Sequence, residues 1–305
     1  MRGPDLVGRA RSSDGTGIAF QVYGDAGPFV VFGNGIGVTH ESLVLQLEHL
    51  RQGFRVVCWD HRGIAGSIDA PTVRNARNRG AMGSGDGTRG AAMPVAAHAI
   101  DCLAVMDALA IECATYVGWS MGVQVGFELL RLVPARISRL VALSGVAGRI
   151  FQGALPSAWV ERVFGWMVGR SIPLVPLVSP LARHLIGTRA FFLAAQRIGF
   201  VGKAASPEIF MRMLRCVAEL DHTHYLRTLA GLGEHDAMDV LRTTQVPILF
   251  VGGRQDRLTP VALLESLARQ AADARVHIVN DGTHFALIEA PEEVNSVLEA
   301  FLRGS

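Results

Sequence analysis

Gly118-Trp119-Ser120-Met121-Gly122 is the stretch that decides how this chain is read. The apolar, β-branched run Thr115-Tyr116-Val117 precedes it, and the helix-like run from Val123 to Arg131 follows. Strand, tight turn and helix, in that order, is the setting in which a G-x-S-x-G serine is lifted onto a strained turn above a sheet. Glycine at both ends has a steric reason, because side chains there would collide with the neighbouring strand and helix. The helix begins beneath the serine, so its unpaired N–H groups and dipole favour negative charge developing there. Alone the pentapeptide is weak: a chain with 34 Gly and 15 Ser in 305 residues gives about 0.2 such matches by chance. The bland alternative is an ordinary β-to-α turn.

Outward from the turn, apolar strand-like runs alternate with helix-like segments. Phe29-Val30-Val31-Phe32 and Arg55-Val56-Val57-Cys58-Trp59 lie upstream. Arg139 to Ser144, Pro247 to Val251 and Arg275 to Val279 lie downstream. Such runs suit strands buried on both faces, so the alternation predicts an α/β fold with a mostly parallel central sheet flanked by helices. Residues 9–32 read as an opening antiparallel meander with turns at Asp14-Gly15-Thr16-Gly17 and Gly24-Asp25-Ala26-Gly27. Helices are expected through Leu43, Leu47 and Leu50, and from Pro94 with Ile100, Leu103, Val105, Met106 and Leu109 inward. Another should start at Thr259-Pro260, as N-cap and first helical residue. The last should place Val294, Val297, Leu298, Phe301 and Leu302 on one stripe.

From about Gly148 to Arg242 the strand pattern stops. Helix-like runs (Trp159 to Val168, Phe191 to Ile198, Pro207 to Leu220) replace it. The expected division is a core of residues 1–147 and 243–305 with an inserted helical cap of residues 148–242. Residues 71–93 carry five Gly and four Arg with little to bury, and read as a mobile surface loop.

Half of the residues are hydrophobic and 18% are charged, enough apolar material for one large core. A net charge of +2, with no basic helix interleaved with aromatics, gives no case for nucleic acid. The first eight residues lack the apolar stretch of a signal peptide. Ser171 to Ala182 is the longest candidate membrane stretch, and its 12 residues hold three prolines, so it is too short and too broken to span a bilayer. Cys58, Cys102, Cys113 and Cys216 show no C-x-x-C spacing and read as buried free thiols in a reducing cytoplasm. His222 and His224 sit two apart on a helix-like run and point to different sides, so no metal is expected there, and no organic cofactor is implied.

Taken together, these blocks resemble the α/β-hydrolase superfamily, in particular its capped serine hydrolases of the esterase and haloperoxidase kind. The resemblance spans roughly residues 15–147 and 243–303. Its blocks stand in family order: Asn34-Gly35, Asp60-His61-Arg62-Gly63 with Gly66-Ser67, the turn at Ser120, Gly253-Arg254-Gln255-Asp256, and Gly282-Thr283-His284 followed by Glu289-Ala290-Pro291. The order Ser, acid, His is the family's own. The resemblance implies Ser120 as nucleophile, His284 as base and Asp256 as its orienting acid. Asp281, beside His284, is the competing acid, though too close in sequence to reach the ring easily. The resemblance also implies an oxyanion hole from the backbone N–H groups of Ile36 and Met121, with Asn34, Gly35, Trp119 and Phe285 as substrate contacts. Two positions depart from the family: Asn34 stands where many relatives carry His, and Gly66 is shifted by one.

The activity so implied is cleavage of an ester or related acyl bond through an acyl-enzyme. Serine rather than aspartate at the turn argues against dehalogenase or epoxide-hydrolase chemistry. Apolar residues of the cap (Trp159, Val163, Phe164, Trp166, Met167, Leu174, Leu177, Phe191, Phe192, Phe210) predict a small hydrophobic acyl or aryl substrate. C–C bond hydrolysis, peracid formation and acyl transfer remain open on the same three residues, as does a non-catalytic ligand-binding role. A homodimer is compatible with the sequence.

Overall fold

The computed structural model describes residues 2–67, 92–149 and 175–304. Among these, eight strands form one sheet: β1 (Leu6–Arg11), β2 (Gly17–Tyr23), β3 (Phe29–Gly33), β4 (Arg55–Trp59), β5 (Ala114–Trp119), β6 (Ile137–Leu143), β7 (Ile248–Gly253) and β8 (Ala274–Val279). The strand order is β1-β2-β4-β3-β5-β6-β7-β8. β1 with β2 and β2 with β4 are antiparallel, and the remaining neighbours are parallel. The opening hairpin forms as expected, but the meander does not continue into β3. That strand lies between β4 and β5, because Val30, Val31 and Phe32 are buried on both faces and need cover from both sides.

The described helices are α1 (Val44–Leu50), α2 (Val95–Ala108), α3 (Met121–Leu132), α4 (Val175–Ile186), α5 (Arg189–Arg197), α6 (Pro207–Glu219), α7 (His222–Glu234), α8 (Met238–Thr243), α9 (Val261–Ala268), α10 (Ala286–Glu289) and α11 (Pro291–Arg303). Alternate strand residues feed two cores. Val31, Val57, Tyr116 and Phe250 pack with residues of α2, α3 and α9. Val30, Phe32, Val56 and Leu249 pack instead with Leu47 and Leu50 of α1 and with Leu298 and Phe301 of α11. The C-terminal stripe is therefore as expected. On α2 the phase differs: Ile100 is exposed, while His98 and Asp101 are buried beside Ala99, Cys102, Val105 and Met106. The helix is apolar nearly all round, so periodicity could not choose its inner face, and the paired bonds from Arg62 to the buried Asp101 carboxylate, at 2.7 and 2.6 Å, did. All four cysteines are free, but only Cys58 and Cys102 are buried; Cys113 is exposed and Cys216 half-buried.

Between β6 and β7 the described residues form helices α4 to α8 and no strand. Phe192, Ala195, Ile209 and Phe210, from α5 and α6, join the core shared by α1 and α11. Helix α8 packs with the core of α2 and α3 through Val240 and Leu241, and the Ala237 N–H donates to the Ala147 carbonyl at 2.9 Å. The expected loop at 71–93, apart from its last two residues, lies outside the described residues, as do the helix from Trp159 to Val168 and the side chains of Trp159, Val163, Phe164, Trp166, Met167, Leu174 and Leu177. Phe191, expected among the enclosing residues, is exposed. Among the described residues, no helix is long and apolar enough to cross a membrane.

Candidate active site

β5 ends at Trp119 and α3 begins at Met121, leaving Ser120 alone on the turn at φ 52°, ψ −113°. A non-glycine residue there stores about 1–3 kcal/mol of backbone strain. Both flanking glycines are required by contact. A Cβ on Gly118 would lie 2.4 Å from the Gly122 carbonyl, and one on Gly122 would lie 2.1 Å from the Gly33 oxygen at the end of β3. The Ser120 N–H donates to the Leu143 carbonyl at 2.9 Å, fastening the turn to β6.

Ser120, His284 and Asp256 meet at the C-terminal edge of the sheet. Ser120 Oγ lies 3.0 Å from His284 Nε2, and His284 Nδ1 lies 2.9 Å from Asp256 Oδ2. The Asp256 carboxylate cannot donate, so Nδ1 carries the proton and Nε2 accepts from the serine hydroxyl. Asp256 Oδ1 accepts the N–H groups of Leu258 (2.8 Å) and Thr259 (3.0 Å), and Oδ2 also accepts the Thr259 hydroxyl at 2.5 Å. Burial raises the carboxyl pKa, but the bonds from His284 and Thr259 outweigh it and hold the group below its ordinary value. Thr259, expected as the cap of α9, instead braces the acid; the N-cap is Pro260, with no side-chain bond. Asp281 is exposed, and the carboxylate on the ring is that of Asp256.

The loop holding His284 is fixed from two sides. Trp119 Nε1 donates to the His284 carbonyl at 3.2 Å. The Glu289 carboxylate accepts the Thr283 N–H (2.6 Å) and hydroxyl (2.7 Å), and also the Gly202 N–H (2.6 Å) from the cap. Across the site, Ile36 is half-buried, and Met121 opens α3, where first-turn N–H groups have no partner within the helix.

The four residues expected to contact substrate are all buried, and each also holds the surrounding loops. Asn34 is fully buried, and its Nδ2 donates to the Trp59 carbonyl at 3.0 Å. Gly35 packs on the Trp119 ring, which a Cβ would meet at 3.0 Å. Trp119 is used as above. Phe285 stacks edge-on with Phe200 and Phe210 of the cap, centroids 5.5 and 5.0 Å apart, so it docks the cap onto the core. Sequence reasoning missed Thr259 and Glu289 as supports, and the only signals were an Asp-x-x-Thr spacing and the Glu of Glu289-Ala290-Pro291.

Among the described residues, no cluster of three or more His, Cys, Asp or Glu side chains could hold a metal ion. His222 Nδ1 bonds Ser179 Oγ at 2.8 Å while His224 Nε2 donates to the Arg62 carbonyl at 2.8 Å, so the two rings diverge.

A serine on a strained turn, bonded to a histidine whose tautomer a buried carboxylate sets, is an arrangement able to attack an acyl carbon. Comparison with known proteins points the same way. The putative carbamate hydrolase RutD of Caulobacter sp. (strain K31) is 25% identical over 283 residues, covering 90% of each chain. The 3-oxoadipate enol-lactonase 2 of Acinetobacter baylyi is 25% identical over 281 residues, covering 90% of this chain and 89% of its own. Among solved structures, a thermophilic esterase from Thermogutta terrifontis shares the fold with a TM-score of 0.72 at 19% identity, over 98% of both chains. An esterase from Exiguobacterium antarcticum does so with a TM-score of 0.75 at 17% identity, over 98% of this chain and all of its own. A sequence model of the alpha/beta hydrolase family matches residues 30–297, and the chain belongs to that family.

Proposed function

We propose that this protein is a serine hydrolase that cleaves an ester or related acyl bond of a small hydrophobic substrate through an acyl-enzyme. The single observation that carries the reading is the continuous relay from Ser120 Oγ through His284 to Asp256, at 3.0 and 2.9 Å. Ser120 Oγ attacks the substrate carbonyl carbon as its proton passes to His284 Nε2. The carbonyl oxygen becomes an oxyanion between the N–H groups of Ile36 and Met121. Collapse breaks the bond to the leaving group, which takes the proton from His284. Water then attacks the acyl carbon as His284 removes its proton, and the acid departs as His284 returns that proton to Ser120 Oγ. Asp256 stabilises the imidazolium in both halves.

Two further points support the reading. Relatives are named as an enol-lactonase and a putative carbamate hydrolase, and lactones and carbamates are both cleaved at an acyl carbon. The described part of the cap brings Phe200 and Phe210 against Phe285, next to the reacting histidine, so an apolar acyl or aryl group suits the site. Every member of the relay comes from one chain, so the chemistry works in a monomer or in a homodimer. A cytoplasmic setting belongs to the same reading, supported by four free cysteines.

The test is stoichiometric labelling of Ser120 by a fluorophosphonate, together with turnover of p-nitrophenyl esters of graded chain length. Labelling lost in Ser120→Ala and turnover of short esters are expected. A native protein that takes no label and turns over no ester would refute the assignment.

A further inference from the structure

The residue that follows β3 is held by a histidine that the relay does not use. His61, in the loop after β4, is fully buried, and its Nε2 lies 2.9 Å from the Asn34 carbonyl oxygen. A carbonyl only accepts, so Nε2 carries the proton. Burial keeps the ring neutral, its pKa pushed down to about 4; the tautomer is therefore Nε2–H, with a lone pair at Nδ1. The peptide that His61 grips is the one that leads into Gly35 and Ile36. Its other side faces the serine turn, for a Cβ on Gly122 would lie 3.1 Å from the same Asn34 oxygen. The Asn34 side chain is separately tied to the Trp59 carbonyl at 3.0 Å. Behind His61, the buried His98 ring stands edge-on at 5.1 Å between centroids, and among the described residues neither His98 nitrogen nor His61 Nδ1 has a hydrogen-bond partner. A cavity of about 10 Å³ lined by both rings also reaches Ile36 and Met121, room for about one water molecule.

We infer that His61 is a positioning residue for the oxyanion loop: by donating to the Asn34 carbonyl it sets the orientation of the 34–36 backbone, and so aims the Ile36 N–H at the oxyanion. This rests on the hydrolase reading above. The bond does more than satisfy a buried carbonyl. The loop is wedged between the His61 ring and Gly122, and a tilt of the 34–35 peptide is carried into the next peptide, whose N–H belongs to Ile36. Such a role affects the tetrahedral state, where charge sits on the former carbonyl oxygen, and leaves ground-state binding nearly untouched.

The experiment compares His61→Gln, whose amide nitrogen reaches the position of Nε2, with His61→Asn, which is polar but too short, and with His61→Phe. Three readouts are taken: kcat and KM for a p-nitrophenyl ester, the affinity of a trifluoromethyl ketone that forms a hemiketal with Ser120, and the stoichiometry of fluorophosphonate labelling. Expected in His61→Asn and His61→Phe is a fall in kcat of about 10- to 100-fold, with KM within about twofold. Hemiketal affinity should fall by the same factor, and His61→Gln should recover most of both. If His61→Phe fails to fold, the contrast between Gln and Asn carries the comparison. Unchanged kcat and hemiketal affinity in His61→Asn, with Ser120 still labelled, would overturn the inference and leave the hydrolase reading standing. Absence of hemiketal and label in the unsubstituted enzyme would instead overturn both.

Discussion

Replacing Asp256 by Asn tests the relay most sharply, because the surrounding donors dictate which way the new amide must face. Oδ1 of Asp256 accepts two backbone N–H groups, from Leu258 at 2.8 Å and Thr259 at 3.0 Å. An amide nitrogen cannot accept them, so the asparagine oxygen must occupy the Oδ1 position and its NH2 group must face His284 Nδ1. There it donates where the carboxylate accepted, and the ring shifts to the tautomer with its proton on Nε2. In that state Nε2 cannot take the proton of Ser120, although every heavy atom stays in place. The corresponding exchange in serine proteases costs about 10⁴ in kcat, equivalent to about 5 kcal/mol of barrier, and a loss of that order is expected here. Thr259 can turn its hydroxyl to accept the second amide hydrogen, so the melting temperature at neutral pH should change little. The assay is ester turnover and the fluorophosphonate labelling rate, with nitrogen NMR of His284 to read the tautomer. Retention of activity within about tenfold, in a protein whose ring carries its proton on Nε2, would refute the argument.

Three further outcomes follow from other contacts. Burial raises the Asp60 pKa from 3.8 to about 6, partly offset by the Gly66 N–H. A raised carboxyl contributes stability that is full below the unfolded pKa near 4 and is lost as pH rises through about 6. Asp60→Asn keeps the Gly66 bond without the charge, so urea unfolding should find it more stable than the parent at pH 8, by up to about 3 kcal/mol, with the difference gone at pH 4. Arg62 makes paired bonds of 2.7 and 2.6 Å to Asp101, whose side chain is fully buried. Arg62→Met should cost about 3–5 kcal/mol, and adding Asp101→Leu should return most of the loss; a double variant no more stable than the single one would contradict this. Gly122→Ala drives a Cβ into the Gly33 carbonyl, and a loss of about 3 kcal/mol in urea unfolding is expected, with slower labelling of Ser120.

The features legible in the sequence were those carried by local pattern. Val30 to Phe32 and Leu249 to Val251 read as doubly buried strands because they are unbroken apolar runs, and the sheet buries them so. Ser120 was legible from its strand, glycine turn and helix, and His284 and Asp256 through the family resemblance that their glycine-marked blocks carry. Strand order was not, since nothing local in Phe29 to Gly33 says that β4 intervenes between it and β2. The inner face of α2 was hidden by its uniform apolarity, and was set by long-range partners such as Arg62. The scaffold bonds of Asn34 and Trp119 were hidden as well, because adjacency in sequence says nothing of which distant carbonyl a side chain will reach. Thr259 illustrates the same limit, since Thr-Pro before a helix fits a cap and a carboxylate brace equally well.

Glu289 gives the molecule a property that its relay alone would not have. One carboxylate oxygen takes both the Gly202 N–H of the cap and the hydroxyl of Thr283, while its twin takes the Thr283 amide next to the reacting histidine. Seating of the lid and alignment of the proton carrier therefore share a fastener. Without the Gly202 contact, the carboxylate that holds the Thr283 backbone beside the imidazole would keep two of its three bonds, so what happens at Gly202 is felt next to the reacting ring.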